Sequence, residues 1–560
     1  MQILRQGSRM KTNMNKNFVI IQMARTGDLI QTLSAANAFK ANHPDINLSL
    51  VARERYAAPI KSILEKTFSR VFTLSKKSIF NSSTTEEIVN KVDDFLTVLN
   101  CQSFDVALNL SFCKTSFYIT TLINTPHKLG NYYSSKHELV TKDLFTQYLS
   151  SFVVNSSINS FNINDIWLAL MGGRRAQLPE RKVETKEGNF KEILLHPFAS
   201  QERKHWKTGK WVEVIYLTLK NNQDTRITIC GSKEDQPQVH QIINDPILKL
   251  FKNRLSSVAG ILTISELHEK MDRYNIFVGH DSMVSHLASL KNIPTVTFPV
   301  GSVRPHETAP LGVNTIVATP KTSCFPCYVS DSCQDFDCHK DISHQLASEL
   351  ITIQLRNKKV DMNEIITKHG HYHAASANIY IGKQNPDGLY QLVPTQETIS
   401  TKTIMRDLYQ ILWTYKFFES SPRVSNPIVS QSALNELSTI KSNLHNLFEL
   451  SEFAKKYCTY ILQEINSESP NITNINDLSA KIDEIDRLSN MIKKASPELG
   501  PLVSFYEIQK ANTSGTTIVE ITENTYLVYH DISVSCSVLD ELLDKIINTS
   551  NKNKNIHQGR

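Results

Sequence analysis

The sequence predicts two tandem doubly wound α/β domains followed by a mainly helical extension. Over the first part of the chain, short apolar runs alternate with helical patterns, as in parallel sheets with crossover helices. The alternation stops at a polar linker near 175–190 and then begins again. Beyond residue 356, apolar residues recur mainly at helical spacing. We therefore expect domains at 1–175, 176–356 and 357–560.

The first domain is expected to open with a β-α-β unit. The buried run NFVIIQM (17–23) predicts a strand, 29–44 predicts a helix that stops near Pro44, and 46–53 predicts a second strand. FDVALNL (104–110) has the same character as the first run. A helix that ends at Gly172-Gly173 then leads into the linker.

The second domain repeats this order. Its predicted strands are EILLHPFAS, RITICGS, NIFVGHD and PTVTFPVG, and its predicted helices are KWVEVIYLTLKNN, ISELHEKMDRY and SMVSHLASLKN. In open parallel sheets, ligands bind beyond the carboxyl ends of the strands. Two such domains therefore predict a site in the cleft between them.

The extension has no recognisable catalytic constellation. Apolar residues at 434, 437, 440, 444, 447 and 450 predict a long helix. The stretch 516–535 alternates in polarity and predicts a hairpin, and 538–549 predicts a final helix. We expect a helical accessory domain with one short hairpin.

Bulk composition excludes several classes of protein. The 560 residues are 40% hydrophobic and 21% charged, with a formal net charge of +6, which is too weak and too scattered to predict nucleic-acid binding. No apolar run approaches the length of a membrane span, and the basic N-terminus lacks a signal-peptide pattern. We expect a cytoplasmic protein, with peripheral contact at the inner membrane left open, whose nine cysteines are reduced by default.

The turn ARTGDLIQT follows the first predicted strand. It lacks the G-x-G-x-x-G spacing of dinucleotide-binding domains, so we do not expect a nicotinamide or flavin enzyme, and it lacks the P-loop pattern, so a P-loop is excluded. Gly27 permits a tight turn, and Asp28 then stands at the start of a helix. Asp28 is either a helix cap, which is the simpler interpretation of this motif alone, or a general base facing the cleft.

Two later strand ends carry candidate phosphate-binding residues. In HPFASQERKHWKTGKW (196–211), a basic loop that includes Lys204 precedes a helix. Such a loop is either a binding position for a diphosphate or an ordinary solvated basic surface. In FVGHDSMVSHLA (277–288), Asp281 and Ser282 precede a helix whose N–H groups could hold phosphate. His286, taken alone, is more simply a core histidine.

These motifs resemble glycosyltransferase family 9, the bacterial heptosyltransferases and their protein-modifying relatives. RTGDLIQT, HPFAS with RKHW, CGSKED, VGHDSMVSHLAS and PTVTFPVGSVRPHETAPLG stand in the family's order, and the resemblance covers about 17–345. It implies a GT-B fold, inversion at the anomeric carbon without a metal or other cofactor, and ADP-heptose as the donor.

The resemblance also implies roles for particular residues. Asp28 would be the catalytic base and Lys204 the partner of the donor diphosphate. The implied donor site comprises Thr26, Gly27, Ser200, Lys204, Gly231, Glu234, Asp281, Ser282, Met283, Val284 and His286. Two positions depart from the family pattern: Met283 replaces a glycine, and Lys233 stands where some members have an acid.

Four cysteines crowd one loop as C-x2-C-x5-C-x4-C, at positions Cys324, Cys327, Cys333 and Cys338. The spacing suits either a structural metal site or free thiols, and disulfides are disfavoured in the cytosol. A cysteine-rich loop here resembles a feature of many family members, some of which bind iron. The cluster is thus a candidate site for structural iron or zinc on the rim of the cleft.

The leading hypothesis is an inverting glycosyltransferase that uses ADP-heptose or a related nucleotide sugar. Its acceptor would be a hydroxyl of lipopolysaccharide core or of a protein serine or threonine, and homo-oligomerisation is left open. The alternative is a GT-B scaffold without catalysis, which binds through its helical extension. A two-domain nucleotide-sugar epimerase fits the order of the motifs less well.

Overall fold

The computed structural model describes residues 16–75, 84–152, 158–180, 182–183, 190–328, 331–396, 399–418 and 429–558. The N-terminal segment before residue 16 and much of the predicted linker near 175–190 lie outside them. The chain divides into two compact units. The first comprises Met1–Leu139 with Phe161–Gln396, and the second comprises Val140–Ser160 with Glu397–Arg560.

The strands lie mainly in the first unit. They are β1 (Asn17–Gln22), β2 (Asn47–Arg53), β3 (Arg70–Leu74), β4 (Val106–Asn109), β5 (His127–Leu129), β6 (Tyr132–Tyr133), β7 (Leu139–Val140), β8 (Lys191–His196), β9 (Thr225–Ile229), β10 (Leu255–Ser257), β11 (Ile276–Gly279), β12 (Thr295–Thr297), β13 (Ile316–Thr319), β14 (Asn378–Gln384) and β15 (Tyr390–Pro394).

The α-helices follow the same order along the chain. They are α1 (Thr26–Asn42), α2 (Glu54–Ala57), α3 (Lys61–Leu64), α4 (Thr85–Asn100), α5 (Lys114–Leu122), α6 (Leu144–Phe152), α7 (Ile163–Leu170), α8 (Thr208–Asn221), α9 (Gln236–Ile243), α10 (Ile264–Lys270), α11 (Met283–Leu290), α12 (Pro305–Thr308), α13 (Cys338–Asp341), α14 (His344–Leu355), α15 (Met362–His369), α16 (His371–Ala374), α17 (Thr401–Phe418), α18 (Gln431–Ile465), α19 (Ile472–Ala495), α20 (Gly500–Ala511) and α21 (Ile518–Gln558).

The first sheet has the order β3-β2-β1-β4-β5, and all of its pairs are parallel. The central strand β1 is almost entirely buried, because a parallel sheet is covered on both faces. The connections leave β1 in opposite directions, towards β2 on one side and β4 on the other. This is the switch point at which doubly wound sheets bind ligands.

The second sheet has the order β10-β9-β8-β11-β12-β13-β14-β15. Its strands are parallel up to β13, and the hairpin β14–β15 then adds two antiparallel strands. This hairpin lies beyond the predicted boundary at residue 356 and completes the sheet. The switch point falls between β8 and β11, whose ends carry His196 and Gly279. The predicted fold class, two tandem doubly wound domains with a helical C-terminal region, is confirmed.

The second unit is helical. The long helices α18 and α21 pack along each other, and Lys441 pairs with Asp540 at 3.5 Å and with Asp544 at 2.6 Å. Lys455 also reaches Ser533 at 3.5 Å, so the two helices run antiparallel. Among the described helices of either unit, none is long and apolar enough to cross a membrane.

The predicted hairpin at 516–535 is wrong, because residues 518–535 form the first part of α21. The buried residues of this helix lie three or four apart, at Tyr529, Ile532, Cys536, Leu539, Leu543 and Ile546. The stretch is rich in β-branched residues, which favour strands locally. Burial of this continuous stripe against neighbouring helices outweighs that local preference.

Candidate functional site

The turn after β1 carries Asp28. Its Oδ2 accepts the backbone N–H of Arg25 at 3.0 Å, which is a capping bond at the start of α1. Burial raises the pKa of Asp28, and the Arg25 hydrogen bond and the charge of His286 offset only part of that effect. The half-buried carboxylate therefore caps the helix and is also more basic than an exposed aspartate.

The carboxyl ends of β8 and β11 form the second half of the site. A side chain at Gly279 would place its Cβ 2.4 Å from the His196 carbonyl oxygen, so only glycine allows these strands to end side by side. Burial lowers the pKa of His196 to about 4, so its imidazole is neutral at physiological pH. His196 Nδ1 hydrogen-bonds the Ser282 hydroxyl at 3.1 Å and fixes the start of the next turn.

Helix α11 begins at this turn. The backbone N–H of Ser282 donates to Ser285 Oγ at 3.2 Å, and that hydroxyl donates to the Ser282 carbonyl at 2.6 Å. The N–H groups of Met283 and Val284 come next, in the first helical turn, where a helix offers them no acceptor of its own. An anion beyond this end of the helix would be stabilised by these donors and by the helix dipole.

Asp281 is held by two neighbours. His286 Nε2 lies 3.3 Å from its Oδ1, and the Thr308 hydroxyl donates to its Oδ2 at 2.7 Å. Burial alone would raise the pKa of Asp281. The bonds from His286 and Thr308, together with the charges of His286 and Lys204, outweigh burial and lower it. Asp281 is therefore an ionised, fixed carboxylate within the electrostatic reach of Lys204.

His280 anchors the loop that carries Lys204. Its Nε2 accepts the Trp206 backbone N–H at 3.0 Å, so Nδ1 must carry the proton that is donated to the Phe298 carbonyl at 2.7 Å. Burial lowers the pKa of His280 well below its ordinary value. Trp206 and Trp211 pack edge-on against the ring at 5.0 and 5.2 Å, so both tryptophans are packing residues.

The two strand-end turns meet directly. A Cβ at Gly27 would lie 3.9 Å from both His286 Cδ2 and Met283 Cα, so the turn after β1 contacts the first turn of α11. Arg25 Nη1 also donates to Ser200 Oγ at 3.2 Å, which links the first turn to the loop after β8. A half-buried base, a fixed carboxylate and a helix N-terminus therefore lie side by side.

Three predicted donor-site residues have other environments. The Thr26 hydroxyl donates to the Tyr56 carbonyl at 3.0 Å. Glu234 is exposed, whereas its neighbour Asp235 holds the turn after β9 by accepting from the Ser232 N–H at 2.7 Å. Val284 is buried, so only its backbone faces the proposed phosphate position.

The cysteine loop packs against the loop that carries Lys204. Cys327 N–H donates to the Gly301 carbonyl at 3.2 Å, and His339 Nε2 bonds the Arg203 carbonyl at 2.9 Å. Burial, with smaller contributions from the other three thiols of the cluster, raises the pKa of Cys338 to about 11. In the described part of the chain, no three His, Cys, Asp or Glu side chains are placed to hold one metal ion.

Sequence reasoning missed three residues of this site: His196, His280 and Thr308. The two histidines each stand at the end of a predicted buried strand, and that position is a usable signal. Thr308 gives no signal, because its partner Asp281 is 27 residues away in sequence.

Two doubly wound domains whose switch points face each other form the GT-B architecture. Residues 95–335 match the model of "Glycosyltransferase family 9 (heptosyltransferase)", which spans somewhat less than half of the chain. The matched range includes Lys204 and Asp281 but begins after Asp28. The family resemblance expected from the sequence is confirmed.

Individual relatives are distant. The chain is 20% identical to the lipopolysaccharide heptosyltransferase 3 of Escherichia coli over 281 residues, which are 48% of this chain and 79% of that protein. The structure of the E. coli ADP-heptose lipopolysaccharide heptosyltransferase II aligns with a TM-score of 0.43 and 15% identity, covering 61% of this chain and 99% of the other. The family 9 glycosyltransferase of Veillonella parvula aligns with a TM-score of 0.47 and 13% identity, covering 62% and 99%.

Proposed function

We propose that this protein is a family 9 glycosyltransferase, an inverting heptosyltransferase that transfers heptose from ADP-heptose to an acceptor hydroxyl. The observation that carries the proposal is the direct contact between the Asp28 turn and the first turn of α11. The Asp28 turn offers a base, and the first turn of α11 offers a binding position for a leaving diphosphate. Inverting transfer needs both on opposite sides of one anomeric carbon.

Asp28 acts on the acceptor in this mechanism. It takes the proton of the attacking hydroxyl, whose oxygen forms the new bond to the anomeric carbon. The pKa of Asp28, which burial raises, supports this role, because a more basic carboxylate accepts a proton more readily.

The second domain acts on the donor. The bond from the anomeric carbon to the phosphate oxygen breaks, and ADP leaves with the electron pair. Lys204 and the N–H groups of Met283 and Val284 stabilise the charge that develops on the diphosphate. Asp281 stays ionised and accepts hydrogen bonds from Thr308 and His286, so it fixes the position of the turn and can also accept from donor hydroxyls. We propose that this chemistry needs no metal, and activity should therefore survive treatment with a chelator.

We propose two acceptors, lipopolysaccharide core and a protein hydroxyl, which set where the enzyme works. A lipid acceptor requires contact with the inner membrane surface, whereas a protein acceptor is met in the cytoplasm. Transfer to a lipid-core fragment, or a heptose-sized mass gain on a co-expressed protein, distinguishes the two. The scaffold alternative receives no support from the family match.

Structural iron or zinc on the cysteine loop rests on the C-x2-C-x5-C-x4-C spacing alone. Metal content of the purified protein tests it, with a Cys324→Ser, Cys327→Ser variant as the control. Size-exclusion chromatography with light scattering tests homo-oligomerisation on the same material.

Donor binding is the first test of the proposed function. At a hundredfold excess over its dissociation constant, a ligand that binds only the native state stabilises it by about 2.7 kcal/mol. ADP-heptose and ADP-glucose should raise the melting temperature, and UDP- and GDP-sugars should not. A shift with only UDP- or GDP-sugars would contradict the proposed donor.

Asp28→Asn tests the base. The amide oxygen can still accept from the Arg25 N–H, and no charge is buried, so the melting temperature without ligand should not fall. Transfer should fall by about 10²–10⁴-fold while donor binding persists. Asp45→Asn makes the same change at an exposed loop position and should keep full activity. Unchanged transfer in Asp28→Asn would remove Asp28 from the mechanism.

A further inference from the structure

A second cavity lies in the second doubly wound domain, at the edge of the sheet opposite the candidate active site. It has a volume of about 550 Å³ and is bounded by the start of β13, the end of α14 and the hairpin β14–β15. Asn314 and Ile316 mark the amino-terminal end of β13, whereas His196 and Gly279 mark carboxyl ends. This cavity is therefore separate from the proposed donor site.

The floor of this cavity holds a buried amide. Gln354 is only 7% exposed and lines the cavity. Among the described residues, no group hydrogen-bonds its side-chain amide, and the amide atoms are not fully enclosed by protein. Its neighbours Asn314 and Asn357 are engaged instead, with Glu180 Oε1 at 2.6 Å and the Val183 carbonyl at 2.8 Å. The Gln354 amide is therefore an open hydrogen-bonding position inside the cavity.

The walls of the cavity carry a surplus of positive charge. Four lysines line it: Lys182, Lys358, Lys359 and Lys383. One of them, Lys358, pairs with Glu364 at 3.2 Å. Among the described residues that line it, the only carboxylate is Glu180, which accepts from Asn314. Such an excess of ammonium groups over carboxylates suits a ligand that carries more than one negative charge.

A neighbouring cavity along the same edge of the sheet shows the contrast. It is lined by Arg226, Arg254 and Arg273. Arg254 donates to four backbone carbonyls, and Arg273 donates to the Tyr274 hydroxyl at 2.6 Å. Those arginines serve the fold, whereas the described structure gives Lys359 and Lys383 no such partners.

We propose that the lysine-lined cavity binds a phosphate-bearing ligand, with the Gln354 amide donating to it at the floor and Lys359 and Lys383 pairing with it at the mouth. A phosphate monoester carries about 1.5 to 2 negative charges at neutral pH and accepts hydrogen bonds on three oxygens. The volume lies within the range of small-molecule sites and leaves room for the group that carries the phosphate. The site is independent of the transfer reaction, because it uses none of the residues proposed for catalysis.

The test measures phosphate binding by the full chain from two sources. Free phosphate is represented by inorganic phosphate and a hexose phosphate in calorimetry. Lipid phosphate is represented by co-sedimentation with vesicles of phosphatidic acid in phosphatidylcholine. Lys359→Glu with Lys383→Glu reverses the charge at the mouth, and Gln354→Met removes the amide at similar volume. Lys249→Glu with Lys252→Glu makes the same charge change at exposed positions away from the cavity.

Binding should weaken about tenfold or more in the cavity lysine pair and also in Gln354→Met, and it should persist in the control pair. Loss confined to the soluble phosphates identifies a free ligand, and loss confined to vesicles identifies a lipid headgroup. Absence of binding, equal loss in the control pair, or full binding in Gln354→Met would each overturn the proposal. Melting temperatures without ligand verify that the variants are folded.

Discussion

Replacing His280 with leucine should separate the Lys204 loop from the second sheet. The ring joins the Trp206 N–H at 3.0 Å to the Phe298 carbonyl at 2.7 Å, and it is fully buried. Leucine can bond neither group, so a buried donor and a buried acceptor lose their partner together. Each such group costs about 1–3 kcal/mol, which gives a loss of about 2–6 kcal/mol.

The melting temperature should therefore fall by at least about 4 °C for a domain of this size. The Michaelis constant for the donor should also rise, because Trp206 no longer holds the loop that carries Lys204. Tryptophan fluorescence reports the same change directly, since Trp206 and Trp211 both pack against the His280 ring.

His268→Leu is the matched control. His268 is also buried, and burial lowers its pKa to about 4, but the described residues offer its Nδ1 no hydrogen-bond partner. Its replacement should change the melting temperature little and should leave donor binding unchanged. If His280→Leu kept the wild-type melting temperature and Michaelis constant, or if His268→Leu cost as much, the reasoning about the His280 anchor would be refuted.

Three further outcomes are expected. The raised pKa of Asp28 should place the acidic limb of kcat/KM above the ordinary value of 3.8, and a profile that stays flat down to that pH would contradict it. The pKa of Asp281 is lowered in the folded protein, so the stabilisation that its ionised form provides is complete above pH 3.8 and is lost as the pH falls through the lower folded pKa. On acidification, the melting temperature of Asp281→Asn should therefore fall by less than that of the wild type. Gly301 has φ +65°, and a Cβ there would lie 2.2 Å from the Arg203 carbonyl oxygen. Gly301→Ala should therefore lower both the melting temperature and the donor affinity. Gly209→Ala, at an open helical position, should change neither.

The candidate site could be predicted in part, because some of its residues occupy positions that local sequence defines. Asp28 and Asp281 each follow an apolar run and precede a helical pattern, and such strand-to-helix turns hold ligands in doubly wound sheets. The hydrogen-bond partners of the site gave no such signal. Ser282 and His196 are 86 residues apart, and Arg25 and Ser200 are 175 apart, so no local pattern joins them.

The sequence by itself determined the two doubly wound domains and the family resemblance, since apolar runs, helix starts and glycine turns are local signals. Only the tertiary structure decided that the Gly27 turn contacts α11 and that His280 fixes the Lys204 loop. It also decided that 518–535 is helical, although the local composition favours strands. The physical reason is the same in each case. Burial and hydrogen bonding between distant segments contribute free energies that exceed local preferences, and a linear sequence does not state which segments meet.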